Sequence, residues 1–168
     1  MIRNIVKRLV VWRVYIAIVS LIAIQLLSFK PSFPYAGELL EPSGHPLFWS
    51  LANFDGVHYI GIAQKGYFAQ FTQAFFPLYP ILMGWVDRIV GNLILSGYLI
   101  SHASFIVALY LLYKLVRLDY TESVARRTIL SYLLFPTSFF FAAVYSESFF
   151  MALLVGSFFA ARKKRWWL

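Results

Sequence analysis

Residues 128–161 run for 34 positions with a single charged side chain, Glu147, and both ends are basic: Arg126 and Arg127 precede the run, and Arg162, Lys163, Lys164 and Arg165 follow it. As one helix the run would be about 51 Å long, against a bilayer hydrocarbon core of about 30 Å. Lys and Arg concentrate on the cytoplasmic side of membrane segments. Two basic ends therefore require a hairpin, with arms over 128–144 and 148–161 and the turn, near Glu147, on the outer side. Pro136 is placed to bend the first arm.

The rest of the chain follows from the same rule. A first apolar run covers residues 10–29, opened by Arg3, Lys7, Arg8 and Arg13. It is long enough to span and ends Leu26-Leu27-Ser28-Phe29-Lys30-Pro31, a poor cleavage site, so it reads as an uncleaved anchor with a cytoplasmic N-terminus. Residues 93–116 form a second span, closed by Lys114 and Arg117. With 114–127 cytoplasmic, residues 30–92 all lie outside, and of the 15 Lys and Arg only Lys30, Lys65 and Arg88 face that side. The apolar stretch 74–90, interrupted by Pro77, Pro80, Asp87 and Arg88, then does not fully cross. The expectation is an all-α, polytopic transmembrane protein of one domain. Spans lie at 10–29, 93–116, 128–144 and 148–161, and an outer loop at 30–92 carries membrane-surface helices. One of these helices covers 48–63.

Composition agrees and excludes other classes. Apolar residues make up 61% and charged ones 13%, where a soluble domain has about 25% charged. A chain this short cannot hide that much apolar surface from water, so membrane lipids are its first partners. The net charge of +8 does not mark a nucleic-acid surface, because the cations sit in short clusters between apolar runs. With no cysteine, disulfides and thiolate metal sites are excluded. His45, His58 and His102 are too scattered to suggest a metal site, and none is expected. No glycine-rich phosphate loop, HExxH or serine elbow is present.

The segment Asn53-Phe54-Asp55-Gly56-Val57-His58-Tyr59 carries the chemistry. In a helix Asp55, His58, Tyr59 and Ile62 share one face. A carboxylate beside an imidazole and a phenol at a membrane surface can bind a sugar or activate a hydroxyl, and partial burial raises a carboxyl pKa toward working pH. Alternatively, Asp55 only caps or solvates a surface helix. Glu147, a lone acid in an apolar run, costs a few kcal/mol if it faces lipid. It therefore faces protein or water, or is an outer loop residue. Lys65 and Arg88 are the outer cations that can meet a phosphate, or a headgroup.

Three blocks in order, FWSLANFDGVHYIGIAQKGY, AFFPLYPILMGW and FPTSFFFAAVYSESFF, span about residues 48–150. Together they resemble the PIG-V-type mannosyltransferases, which are polytopic GT-C glycosyltransferases. The family's usual Trp-Asp pair is here Phe54-Asp55. The resemblance implies a GT-C-like fold and a polyprenyl- or dolichyl-phosphate-linked sugar as donor, with no further cofactor. It also implies a glycolipid or glycan acceptor and transfer with inversion. By motif position Asp55 would be the general base, His58 and Tyr59 would shape the pocket and Glu147 would support it; Lys65, as an outer cation, is a further candidate substrate contact. It places the protein in the cell membrane of a prokaryote or the endoplasmic reticulum of a eukaryote. Family members are much longer, so the chain reads as an N-terminal part, with activity not expected of it alone.

Two other classes compete: a transporter subunit, for which Pro77, Pro80 and Pro136 permit broken helices, and a non-catalytic scaffold of glycan assembly. The topology is directly testable, because the chain has no native cysteine. Cysteines introduced at Asp55, Asp119 and Glu147 should be labelled by an impermeant reagent from outside, inside and outside, respectively. Labelling of 55 and 147 from opposite faces would reject the arrangement.

Overall fold

The computed structural model describes residues 2–27 and 33–166, with the side chains of Ile2 and Asn4 left undescribed. The expectations for 28–32, including Lys30 and the end of the first span, and for the terminal Trp167 and Leu168 lie outside the described residues. Every regular element among them is helical: α1 (Ile2–Leu26), α2 (Ala36–Leu39), α3 (Pro46–Trp49), α4 (Asp55–Lys65), α5 (Leu78–Val90), α6 (Leu93–Val116), α7 (Glu122–Leu134) and α8 (Glu147–Arg162). Short 3-10 turns lie between several of them, the longest at Pro136–Ala142.

Helix boundaries follow local chemistry. Gly91, at φ 69°, closes α5 in the left-handed conformation that glycine adopts without strain. The Asn92 side chain then caps α6, accepting the Leu95 N–H at 2.9 Å. Thr121 caps α7 in the same way. That helix stops at Phe135, held extended (φ −64°, ψ 133°) ahead of Pro136. In α8 Glu147 stands in the first turn and Arg162 in the last, each at the end of the helix dipole that favours its charge.

Two helices, Ile5–Leu26 within α1 and all of α6, are long and apolar enough to cross a membrane. The arms expected at 128–144 and 148–161 are shorter pieces. Helix α7 starts at Glu122 and ends at Leu134, and Pro136–Ala142 is 3-10. That 3-10 segment and α8 together pass as a span, but they bend by 98° at their junction. The 13 residues of α5 reach about 20 Å, short of a 30 Å core. The surface helix expected over 48–63 is broken. It resolves into α3, a 3-10 turn at Ser50–Ala52, and α4, with Asn53 and Phe54 non-helical between them.

Packing gives the topology. Helices α6 and α8 run side by side in the same direction: Gly97 lies against Val144, Gly156 against Leu111, and Arg162 forms two hydrogen bonds to Asp119 at 2.8 and 2.6 Å. The chain between them must therefore travel back, and α7 with the 3-10 segment does so. Helix α1 passes α6 in the opposite sense, Trp12 against Phe105 (5.3 Å) and Arg13 against Tyr98 (5.5 Å). Trp12 also donates to Ser138 at 3.0 Å, fixing the 3-10 segment.

Two apolar cores result. One joins α1, α6, α7 and α8; the other joins α2 to α5 with the start of α6 and Val144, and Leu51 packs against both. The outward faces of α1 and α8 remain apolar, with Val11, Tyr15, Phe150 and Phe158 exposed, as lipid contact requires.

The Gly97–Val144 contact is the tightest between the parallel helices. A Cβ at Gly97 would sit 2.3 Å from Val144 Cγ1, and overpacking of this kind costs about 1–3 kcal/mol. Gly97→Ala should lower the unfolding midpoint in detergent, and Val144→Ala added to it should recover much of the loss. An alanine at 97 without effect on the midpoint would show the contact to be loose.

Candidate active site at the junction of the two cores

The site is built from a strained turn. Asn53 is buried; its Oδ1 accepts the Phe54 N–H at 2.9 Å, and its carbonyl accepts the Gly56 N–H at 3.3 Å. Phe54 has φ 55° and ψ −115°, close to the first central position of a type II′ turn, where glycine is the usual residue. A phenylalanine there costs on the order of 1–3 kcal/mol. The turn makes Asp55 the first residue of α4 rather than its N-cap, and no side chain caps this helix.

The Asp55 carboxyl is half-buried and makes no hydrogen bond or ion pair among the described residues. Burial raises its pKa above the ordinary carboxylate range, and the nearby His58 partly offsets that. His58 lies one turn along the same face. Its ring meets Phe33 edge-on at 5.1 Å and Phe75 at 4.7 Å, and its Nδ1 is buried without a hydrogen-bond partner among the described residues. Burial lowers the His58 pKa, against the pull of the Asp55 charge, so the imidazole is neutral at pH 7.

The 143–146 loop and the start of α8 come against this turn from the other side. Tyr145 donates to the Asn53 carbonyl at 2.9 Å, and the Tyr59 hydroxyl pairs with Ser146 Oγ at 2.8 Å. Burial raises the pKa of both phenols, and the charges of Asp55 and Glu147 raise them further. For Tyr59 the bond to Ser146 opposes the shift. Asp55 also acts electrostatically on Glu147, so the two acids share one environment. Behind them the Tyr79 and Ser101 hydroxyls pair at 2.8 Å, and Ser101 donates to the Tyr145 carbonyl (3.1 Å).

Asp55, His58, Tyr59 and Glu147 are thus brought together. Lys65 is not: it lies about 15 Å along α4 from Asp55, exposed and paired with Glu38 at 2.6 Å. Arg88 lies in the last turn of α5, exposed. Sequence reasoning passed over Asn53, Tyr145 and Ser146, the residues that join the two halves. Their signal was a pair of hydroxyls beside Glu147 inside an apolar run. Among the described residues no three of His, Asp and Glu gather as a metal site would require.

The arrangement can accept a proton. An accessible, unpaired carboxylate of raised pKa faces a second acid, beside a neutral imidazole and two phenols, in a helical protein with lipid-facing surfaces. Fold and site are those of a helical membrane protein with an open acid beside a second one. The chain belongs to the mannosyltransferase (PIG-V) family, whose model matches residues 5–167. It is 29% identical over 129 residues to GPI mannosyltransferase 2 of Drosophila pseudoobscura pseudoobscura, an alignment covering 70% of this chain and 28% of that protein. The chain therefore spans under a third of the relative's length. No solved structure matches it.

If the Tyr59–Ser146 bond joins the two halves, a double-mutant cycle will show it. Tyr59→Phe and Ser146→Ala should each destabilise by about 0.5–1.5 kcal/mol, with a coupling of order 1 kcal/mol. Strict additivity in detergent unfolding would mean that the two halves do not meet through this pair.

Proposed function

We propose that the protein transfers a mannosyl group from a polyprenyl- or dolichyl-phosphate-linked donor to a glycolipid or glycan acceptor on the extracytoplasmic side of the membrane, with Asp55 as general base. One observation carries the reading: the Asp55 carboxylate is half-buried, accessible and unpaired, beside Glu147, in a chain of the mannosyltransferase family. A carboxylate left without a partner in an apolar setting is costly unless a substrate supplies one.

In the proposed step the acceptor hydroxyl oxygen attacks the anomeric carbon of the donor. Its proton passes to Asp55, the C1–O bond to phosphate breaks, and the lipid phosphate leaves with the bonding pair. Attack opposite the leaving group inverts the anomeric centre. Neutral His58 and the Tyr59 phenol, held by Ser146, line the pocket. Glu147 adds negative charge beside the oxocarbenium-like centre. The sugar donor is a substrate, and the scheme needs no metal or cofactor. Lys65 enters this scheme only if substrate reaches the far end of α4. The bilayer holds donor and enzyme in one plane; the N-terminus and the 117–127 link face the cytoplasm, and α2 to α5 face outward.

The test uses the complete protein in membranes with labelled polyprenyl-phosphate mannose. Asp55→Asn and Asp55→Ala should each lower kcat by about 10²–10⁴-fold, the usual contribution of a positioned base, with the fold intact. The base must be ionised, and burial raises its pKa. Wild-type kcat/KM should therefore fall as pH falls, with a limb above the ordinary carboxylate range. Transfer that survives both substitutions rejects the base. Solute transport without sugar transfer would move the protein to the transporter class.

A further inference from the structure

Arg13 lies within the apolar span Ile5–Leu26, where a charged side chain costs several kcal/mol unless it is paired. The ion pairs among the described residues are Lys65–Glu38, Arg126–Glu122 and Arg162–Asp119; none involves Arg13. Its guanidinium lies over the Tyr98 ring at 5.5 Å and interacts with the Tyr98 side chain, while its Nη1 is buried with no hydrogen-bond partner among the described residues. Beside it is a cavity of about 730 Å³ between α1, α6 and the segment around α3, within the size range of small-molecule sites.

The lining has two characters. Arg13, His45 and His102 supply polar groups, while Leu51, Leu95 and Leu99 form an apolar wall. Leu95 and Leu99 carry that wall out to the molecular surface. The His45 Nδ1 accepts the Leu47 N–H at 3.2 Å, so the neutral ring carries its proton on Nε2 as a donor. His102 uses Nδ1 on the Tyr98 carbonyl at 2.7 Å, leaving Nε2 to accept. Asp55 and Glu147 do not line this cavity. It is a second site.

We infer that the Arg13 cavity binds a phosphate-headed amphiphile, with the phosphate on the Arg13 guanidinium and the apolar chain along the Leu51, Leu95 and Leu99 wall. A guanidinium matches phosphate in charge and in the fork of its donors. An amphiphile satisfies both halves of the lining, whereas free phosphate would leave the leucine wall wet. Leu95 and Leu99, exposed on the apolar span α6, form part of its rim, so a membrane-borne ligand would reach it from the apolar surface of that span. The inference does not rest on sugar transfer.

The test titrates the complete chain in detergent with undecaprenyl phosphate, phosphatidylglycerol, the phosphate-free undecaprenol and diacylglycerol, and inorganic phosphate. Native mass spectrometry counts the retained ligand. Both phosphate lipids should be retained, and their phosphate-free counterparts at least about tenfold less, as loss of a charge-assisted bond implies. Arg13→Gln should cost about tenfold or more for the phosphate lipids alone. Leu99→Trp, which fills the wall and leaves the cation, should weaken them too. Stronger retention of undecaprenyl phosphate assigns the site to a lipid-linked substrate; stronger retention of phosphatidylglycerol assigns it to a bilayer lipid. Equal retention with and without phosphate, equal binding of inorganic phosphate, or unchanged binding in Arg13→Gln would each overturn the inference. If Arg13→Gln does not fold, unchanged binding in Leu99→Trp does so.

Discussion

The fold turns on the burial of Val144. Its N–H donates to the Leu51 carbonyl at 3.0 Å, its side chain is fully buried, and it fills the space that Gly97 leaves open on α6. On the other side, a Cβ at Gly56 would come within 3.2 Å of the Val144 carbonyl. One residue is therefore clasped by two glycines and a backbone hydrogen bond, and it ties α4, α6 and α8 together. The residues on either side of these contacts are the ones with chemistry: Asp55 precedes Gly56, and Glu147 follows Val144 by three. Packing interiors are dense and transmit small displacements, so the spacing of the two acids is set by how closely these backbones approach.

Two acids in one apolar environment repel each other and lose hydration, and among the described residues only His58 offsets this in part for Asp55. The nearest basic group, His58, is held neutral by its own burial against Phe33 and Phe75. Lys65 is spent at the surface on Glu38, a pair worth at most about 1 kcal/mol. Asp55 stands in the first turn of α4, where the helix dipole favours an acid, and among the described residues it caps no helix and forms no ion pair. The hydrogen-bond donors nearby are used internally instead: Tyr145 on Asn53, Tyr59 with Ser146, and Ser101 on Tyr145. The network satisfies its own members and leaves the Asp55 carboxylate open.

Much of the framework was legible because bilayer physics constrains sequence directly. Residues 93–116, with Lys114 as their one charged side chain and Arg117 just beyond, form the single helix α6. The shared face of Asp55, His58 and Tyr59 followed from helix periodicity once α4 existed. What could not be read were events without a sequence period. The break at Asn53-Phe54 depends on a phenylalanine accepting a positive φ, which local preference argues against, and Tyr145, distant in sequence, helps to hold it there with the Asn53 side chain. The 34 apolar residues gave no sign that the return path would be part α7 and part 3-10 helix, since Ser138 and Ser148 are satisfied by Leu133 and Phe141 carbonyls across breaks. Lys65 was a candidate as an outer cation able to meet a phosphate; it stands in the last turn of α4, about 15 Å along the helix from Asp55.

The strained turn and the open carboxylate are parts of one arrangement. A relaxed turn would let α4 begin earlier, with an ordinary cap and its first turn wound onto the 50–52 segment. Phe54 prevents this, at a cost of about 1–3 kcal/mol. The Asn53 side chain, the Tyr145 hydroxyl and the buried Val144 offset that cost. Two of these contacts, from Val144 and Tyr145, come from far along the sequence, so the turn is held in part by the segment leading into α8. An acid placed this way is preorganised: its position costs nothing further when a substrate hydroxyl arrives. For the inverting transfer proposed above that would matter, since base, hydroxyl and anomeric carbon would have to line up before any bond changes. A carboxylate on a flexible loop would have to be ordered in each cycle, whereas here the ordering is done by folding.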